Sequence, residues 1–163
     1  MRGFGVLGSI GVSNFNVQLL WDMLSYARIK PVVNEVELHP LNTQLKLVKY
    51  MKSENIVPIG YCPIARGADT RKTPNIFEHE IVKKYMDKYG KTGAQILLNW
   101  GLQRGHVVIP RSNNLGRLEE NFENFGSLDF KLEPEEVDEI STINENIRIC
   151  DDSPWLSGHS IFA

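Results

Sequence analysis

Residues 32–40 read VVNEVELHP. Val32 to Val36 is a short β-branched run, and the polar residues Asn34, Glu35, Glu37 and His39 lie in it or just beyond it. This pattern predicts a strand with polar side chains gathered toward its carboxyl end. Three further runs have the same character: Ser9–Val12 (SIGV), Ile56–Tyr61 (IVPIGY) and His106–Pro110 (HVVIP). Segments of helical period lie between and after them. Leu20, Met23 and Leu24 share one face, as do Leu45, Val48 and Met51, and Ile81, Val82, Tyr85 and Met86 form a stripe closed by Gly90. Thr92–Arg104, Leu118–Phe125 and Glu135–Ile143 are further predicted helices, the last with Pro134 suited to a first turn. Strand and helix alternating in this way predict an α/β fold of parallel strands joined by right-handed crossovers.

The 163 residues carry 18 Lys plus Arg against 20 Asp plus Glu, a formal net charge of −2. That balance offers no electrostatic footprint for nucleic acid or an anionic membrane. Charged residues at 23% and hydrophobic residues at 42% fit one soluble globular domain, residues 1–163, with an irregular tail over 145–163. Cys62 and Cys150 are too few to staple a domain of this size, so a reducing, cytoplasmic setting is expected. The four histidines, His39, His79, His106 and His159, are scattered and suggest no metal. No apolar stretch is long enough to span a bilayer. The opening MRGFGVLGSIGV lacks a small-residue cleavage site and reads as folded chain.

In parallel α/β folds, chemistry gathers at the carboxyl ends of strands. Here those ends carry Ser13 and Asn14; Glu35, Glu37 and His39; Tyr61 and Cys62; and Arg111, Ser112 and Asn113. On spacing alone, one shared site and a set of unrelated loop residues fit equally well. Gly3 to Gly8 spells G-x-G-x-x-G, but a strand rather than a helix follows, so the dinucleotide fingerprint is rejected. Gly90-Lys91-Thr92 ends like a phosphate loop, yet Tyr85 stands where the first glycine belongs. In VVIPRSNNLGRLEEN a strand delivers Arg111, Ser112 and Asn113 ahead of a helix start. With Arg117 they form either a phosphate-type anion site or a capped helix with two solvated arginines.

Taken together, Ile10–Phe15 (IGVSNF), Val33–Pro40 (VNEVELHP), Ile109–Ser112 (IPRS) and Lys88–Thr92 (KYGKT) before a helix containing Trp100 resemble the aldo-keto reductases. The resemblance covers roughly residues 9–150 and implies part of a TIM-type (β/α)8 barrel, here a half barrel of about four strands. It implies an oxidoreductase that uses NADP(H) to reduce an aldehyde or ketone, a small carbonyl substrate. It implies that Ser13 and Asn14 hold the nicotinamide carboxamide and Tyr61 stacks on the ring. Cys62, Ile64 and Arg66 fall in the loop over the pyrophosphate. Arg111, Ser112, Asn113 and Arg117 match the pocket for the adenosine 2′-phosphate, and Glu120 and Asn121 match the adenine contacts. Trp155, in the tail, is placed near the substrate.

The chain also departs from the family's pattern. Glu35 stands where Gln is usual; an ionised Glu accepts hydrogen bonds but cannot donate one. Arg111 replaces a common Lys and adds a guanidinium fork. The family's catalytic Tyr, Lys, Asp and His come from strands ahead of the Ser13-Asn14 strand, and no residue here matches them, so no catalytic residue is assigned. Two readings follow: a reductase whose cofactor side lies here, or an inactive NADP(H)-binding or structural fragment. Four strands leave two open edges. The expected remedy is a second copy closing a homodimeric barrel, or a complementing amino-terminal half. His39 is expected to be structural, Trp21 and Trp100 core, and the acidic run Glu119–Glu139 a solvated face.

Overall fold

The computed structural model describes residues 7–67, 75–126 and 130–150, with only the backbone for 124–126. Its strands are β1 (Gly11–Ser13), β2 (Val33–Glu37), β3 (Val57–Tyr61) and β4 (Val107–Val108). They hydrogen-bond in that order, each pair parallel. The helices are α1 (Val17–Tyr26), α2 (Leu45–Ser53), α3 (Glu80–Tyr89), α4 (Gly93–Gln103), α5 (Leu115–Gly126) and α6 (Pro134–Ser141), with a 3-10 turn over Ile76–Glu78. Consecutive parallel strands in spatial order are the arrangement of half a (β/α)8 barrel.

The strands begin and end a residue or two away from the sequence runs, because pairing rather than composition sets their limits. Ser13, Glu35, Ile59 and Val107 fall on one line across the sheet, so their side chains share one face. Asn34, Val36, Pro58, Gly60 and Val108 point the other way and are buried. One core joins β2 to α1 and α2 through Leu20, Val36, Leu38, Leu47, Val48, Met51 and Ile56. A second joins α3, α4 and α6 through Val82, Tyr85, Ile96, Leu97, Trp100, Val137 and Ile140. On the open face, Val57 and Val107 remain 45% and 46% exposed.

Local chemistry explains the helix ends. Asn16 caps α1 by accepting from the Leu19 N–H at 2.9 Å. Thr92 and Gln95 form a reciprocal capping box at the start of α4. Gly90 ends α3 at φ +60°, a conformation that glycine adopts without cost. Buried Asn34 donates to the Phe15 carbonyl at 2.8 Å and accepts from its N–H at 3.3 Å, fixing the turn that carries Asn14.

Two expectations are corrected. Trp100 is core, but Trp21 is 67% exposed. Helix α1 flanks the edge strand β1 and packs inward only through the face holding Leu20; Trp21 lies one residue further round. The acidic run is not wholly solvated either. Glu136 is buried against α3 and accepts from Lys88 Nζ at 2.6 Å and Tyr89 Oη at 2.5 Å. Beyond α6, residues 145–150 have no regular structure, as expected of the tail, yet they are anchored: the Ile147 N–H donates to the Leu41 carbonyl at 2.9 Å, and Ile149 is fully buried. Trp155 and the rest of the tail lie outside the described residues. No described helix is long and apolar enough to cross a membrane.

Candidate functional site

Parallel pairing brings the carboxyl ends of β1, β2 and β3 side by side. The Asn14 N–H donates to the Glu35 carbonyl at 2.9 Å, and the Ser13 hydroxyl donates to the same oxygen at 3.0 Å. Asn14 adopts a left-handed φ of +59°, a conformation that asparagine tolerates better than most residues. There its side-chain carbonyl accepts from the Tyr61 hydroxyl at 2.9 Å. Ser13, Asn14 and Tyr61 thus form one patch, with half-buried Glu35 beside them. The Glu35 carboxylate has no hydrogen-bond partner among the described residues.

The loop leaving β3 leads from this patch to a second group. Ala65, Arg66 and Gly67 all have positive φ, and the Gly67 N–H closes a tight turn on the Ile64 carbonyl at 2.7 Å. The turn opens into a cavity of about 370 Å³ whose lining includes Ile64, Arg66, Arg111, Ser112, Arg117, Glu120 and Asn121. Asn113 and Asn114 line an adjoining recess with Arg111, Ser112 and Arg117. All seven expected residues of the β4–α5 segment and the preceding loop that line the larger cavity come from separate stretches of sequence brought together by the β3–β4 neighbourhood.

The electrostatics favour an anion. Three arginines, Arg66, Arg111 and Arg117, line the cavity. Arg111 and Arg117 are exposed, and neither has a side-chain partner among the described residues. Helix α5 begins at the same place, with Asn114 Oδ1 accepting from the Arg117 N–H at 3.0 Å, so its positive dipole end adds to the field. Glu120 is the opposing charge; Thr92 Oγ1 donates to its carboxylate and holds it.

Phe77, Met86, Thr92, Gly93 and Ala94 also line the cavity and were not read from the sequence as site residues. Phe77 forms a wall between two glycines. A Cβ on Gly67 would come within 2.5 Å of its ring, and one on Gly93 within 2.4 Å. Thr92 did carry a signal, its capping-box spacing to Gln95; Phe77 carried none.

Cys62 turns away from the cavity. It lies beside Glu37 and Cys150. Glu37 is fully buried and accepts from His39 Nε2 at 2.8 Å, from the Ile149 N–H at 2.6 Å and from the Cys150 N–H at 3.0 Å. Burial alone would raise its pKa, but the His39 and backbone hydrogen bonds outweigh burial and hold the carboxyl below its usual range. His39 is accordingly a buried structural histidine.

A model of the Aldo/keto reductase family matches residues 2–145. Among curated proteins, aldose reductase C of Dictyostelium discoideum is 44% identical over 146 residues, covering 90% of this chain and 43% of that protein. A probable NAD(P)H-dependent D-xylose reductase of Aspergillus terreus is 44% identical over 151 residues, covering 88% of this chain and 46% of that protein. Among solved structures, an aldo-keto reductase of Bombyx mori in complex with NADP superposes with a TM-score of 0.80 at 36% identity, covering 91% of this chain and 48% of that one. The aldose reductase of Schistosoma japonicum superposes with the same TM-score at 34% identity, covering 93% of this chain and 46% of that one. The chain spans a little under half the length of these relatives.

Proposed function

The chain belongs to the aldo/keto reductase family, and from that premise we propose that it supplies the NADP(H)-binding side of a carbonyl reductase. The observation that carries this reading is the cavity where Arg66, Arg111, Arg117 and the start of α5 converge, joined by one short loop to the Asn14–Tyr61 pair. Three cations and a helix start suit a phosphorylated dinucleotide, and Gly67 and Gly93 let the Phe77 ring, which lines the cavity, seat close against the backbone. Arg111, Ser112, Asn113 and Arg117 hold the 2′-phosphate; Glu120 and Asn121 meet the adenine; Ile64 and Arg66 cover the pyrophosphate, with Cys62 at the base of their loop. Ser13 and Asn14 orient the carboxamide, with Glu35 as an acceptor, and Tyr61 lies against the ring. Bound there, NADPH supplies a hydride to the carbonyl carbon of an aldehyde or ketone. Trp155 is assigned to the substrate side.

The open face of the sheet, with Val57, Val107 and Ile109 half-exposed, supports the further proposal that a second wall closes the barrel. A separate amino-terminal segment would bring the proton-donating groups; a second copy, which repeats this chain's own residues, would close the wall without them. Burying a large aliphatic side chain contributes roughly 1.5–3 kcal/mol, enough for such residues to drive closure. Light scattering on the eluting 163-residue chain tests it; a stable monomer removes closure by a second copy.

Titration with NADPH tests the central claim: its fluorescence changes saturably. No change up to millimolar NADPH refutes the cofactor assignment. Saturable binding with no carbonyl-dependent loss of NADPH absorbance identifies the chain as a binding module without turnover of its own.

A further inference from the structure

Cys62 and Cys150, far apart in sequence, meet beside Glu37, with both sulfurs and a carboxylate oxygen within 4.8 Å of one another. Each cysteine sits on constrained backbone. Cys62 follows β3 directly, adopts a left-handed φ of +53°, and its carbonyl accepts from the Ala65 N–H at 2.9 Å. Cys150 is pinned by its own N–H to Glu37 Oε2 at 3.0 Å, next to fully buried Ile149. Both cysteines are free, and each residue is only partly buried, which leaves a route for a small oxidant.

The surroundings favour a neutral bond over a bound cation. The Glu37 carboxylate is already engaged by His39 and two backbone N–H groups, so a metal would have to displace a satisfied buried network. Burial, followed by Cys150 and Glu37, pushes the Cys62 thiol up to about 12; a second and third negative charge there is unwelcome. A disulfide carries no charge and leaves the Glu37 contacts intact.

We propose that Cys62 and Cys150 are a redox pair that a hydroperoxide closes into a disulfide, stapling the loop after β3 to the C-terminal segment. Because the Cys62 thiol is held protonated, Cys150 is the attacking group: it gives up its proton as its sulfur attacks the peroxide, the O–O bond breaks, and sulfenic acid forms on Cys150 as hydrogen peroxide is reduced to water. The other sulfur then displaces the sulfenic hydroxyl, which leaves as a second water carrying that thiol's proton. Two thiols are oxidised and one peroxide is reduced. The staple immobilises the residue next to Tyr61, so it also slows NADP(H) exchange; this last consequence alone rests on the cofactor reading.

The test treats the full chain with hydrogen peroxide, alkylates the remaining thiols and digests without reductant. The expected product joins the tryptic peptide Ser53–Arg66 to the one beginning at Ile149, with loss of both free thiols and recovery on adding dithiothreitol. Cys62→Ser and Cys150→Ser each abolish the link. Two alkylatable thiols after peroxide, or sulfinic acid at either position without a link, overturns the proposal. The rate of NADPH dissociation falls in the linked form; an unchanged rate overturns the effect on exchange. A linked peptide from a chain that binds no NADPH when reduced upholds the redox pair and refutes the cofactor reading instead.

Discussion

The Tyr61 hydroxyl donates to the Asn14 side-chain carbonyl at 2.9 Å, spanning β2 to join the ends of β3 and β1. The bond depends on a chain of constraints. Asn34 fixes Phe15, the backbone of Asn14 is tied to Glu35, and Asn14 holds a left-handed conformation. Tyr61→Phe keeps the ring and removes the donor. A hydrogen bond of this kind contributes about 0.5–1.5 kcal/mol, so chemical denaturation should record a loss of that order. NADPH affinity should fall further if, as proposed, Asn14 meets the carboxamide, because the side chain then loses the partner that fixes its orientation. Unchanged affinity would place the nicotinamide elsewhere.

Charge reversal at Arg111 separates the two ends of the cofactor. Arg111 and Arg117 border both the cavity and its recess and are exposed. Hydrogen bonds to charged groups contribute about 1.5–3 kcal/mol, roughly tenfold to a hundredfold in affinity. Arg111→Glu should weaken NADPH by at least that range and leave NADH nearly unchanged, measured by parallel fluorescence titrations. Equal losses for the two would remove the 2′-phosphate from this pocket.

His106 gives the fold a pH dependence of definite sign. It is 3% exposed, its ring nitrogens have no partner among the described residues, and its ring packs edge-on to Trp100 with the centroids 5.7 Å apart. Burial, then the charges of Arg104 and Lys52, hold its pKa down to about 3 from an ordinary 6.5. The folded chain therefore keeps the ring neutral while the unfolded chain takes up a proton below pH 6.5. Stability is fully present above 6.5 and falls as the pH drops toward 3, by at most about 1.4 kcal/mol per unit. Glu37, with its pKa lowered from an ordinary 4.5, adds a loss of the same sign only below that value. Between 6.5 and 4.5, the part of the slope that His106→Leu removes is therefore that of His106. Urea denaturation across that interval should show the slope in the parent chain and a flatter line in His106→Leu; identical slopes would mean another group titrates.

The parallel order was legible because four β-branched runs alternate with apolar stripes of helical period, and each signal is local. Asn14, Tyr61 and Arg111 could be named from motifs that resembled a family, but their grouping into a patch and a neighbouring cavity comes from strand adjacency. Glu37 shows what sequence does not reveal. Its carboxylate is satisfied by the Ile149 N–H, 112 positions away, and no residue type announces a backbone donor. Trp21 misled for a related reason: helical period identifies an apolar face without showing whether anything covers it. Phe77 lies in an aperiodic stretch, and its partners are glycines, whose lack of a side chain is the feature that matters.

That glycine contact supports the last prediction. Gly93 opens α4, where alanine has the better helix propensity, by up to about 1 kcal/mol. A Cβ there would lie 2.4 Å from Phe77 Cδ1 and 2.8 Å from Cγ. These are atoms near the root of a rigid ring, and Gly67 hems in its far edge. Overpacking typically costs 1–3 kcal/mol, so the clash outweighs the propensity gain. Gly93→Ala should lower stability by about 1–2 kcal/mol and weaken NADPH and NADH alike, because Phe77 is forced toward the cavity that both would occupy. Gly93→Ala combined with Phe77→Leu should recover most of the stability, since the branched side chain can yield where the ring cannot. A single variant as stable as the parent would show that Phe77 has room to move and that the two glycines do not set the width of the cavity.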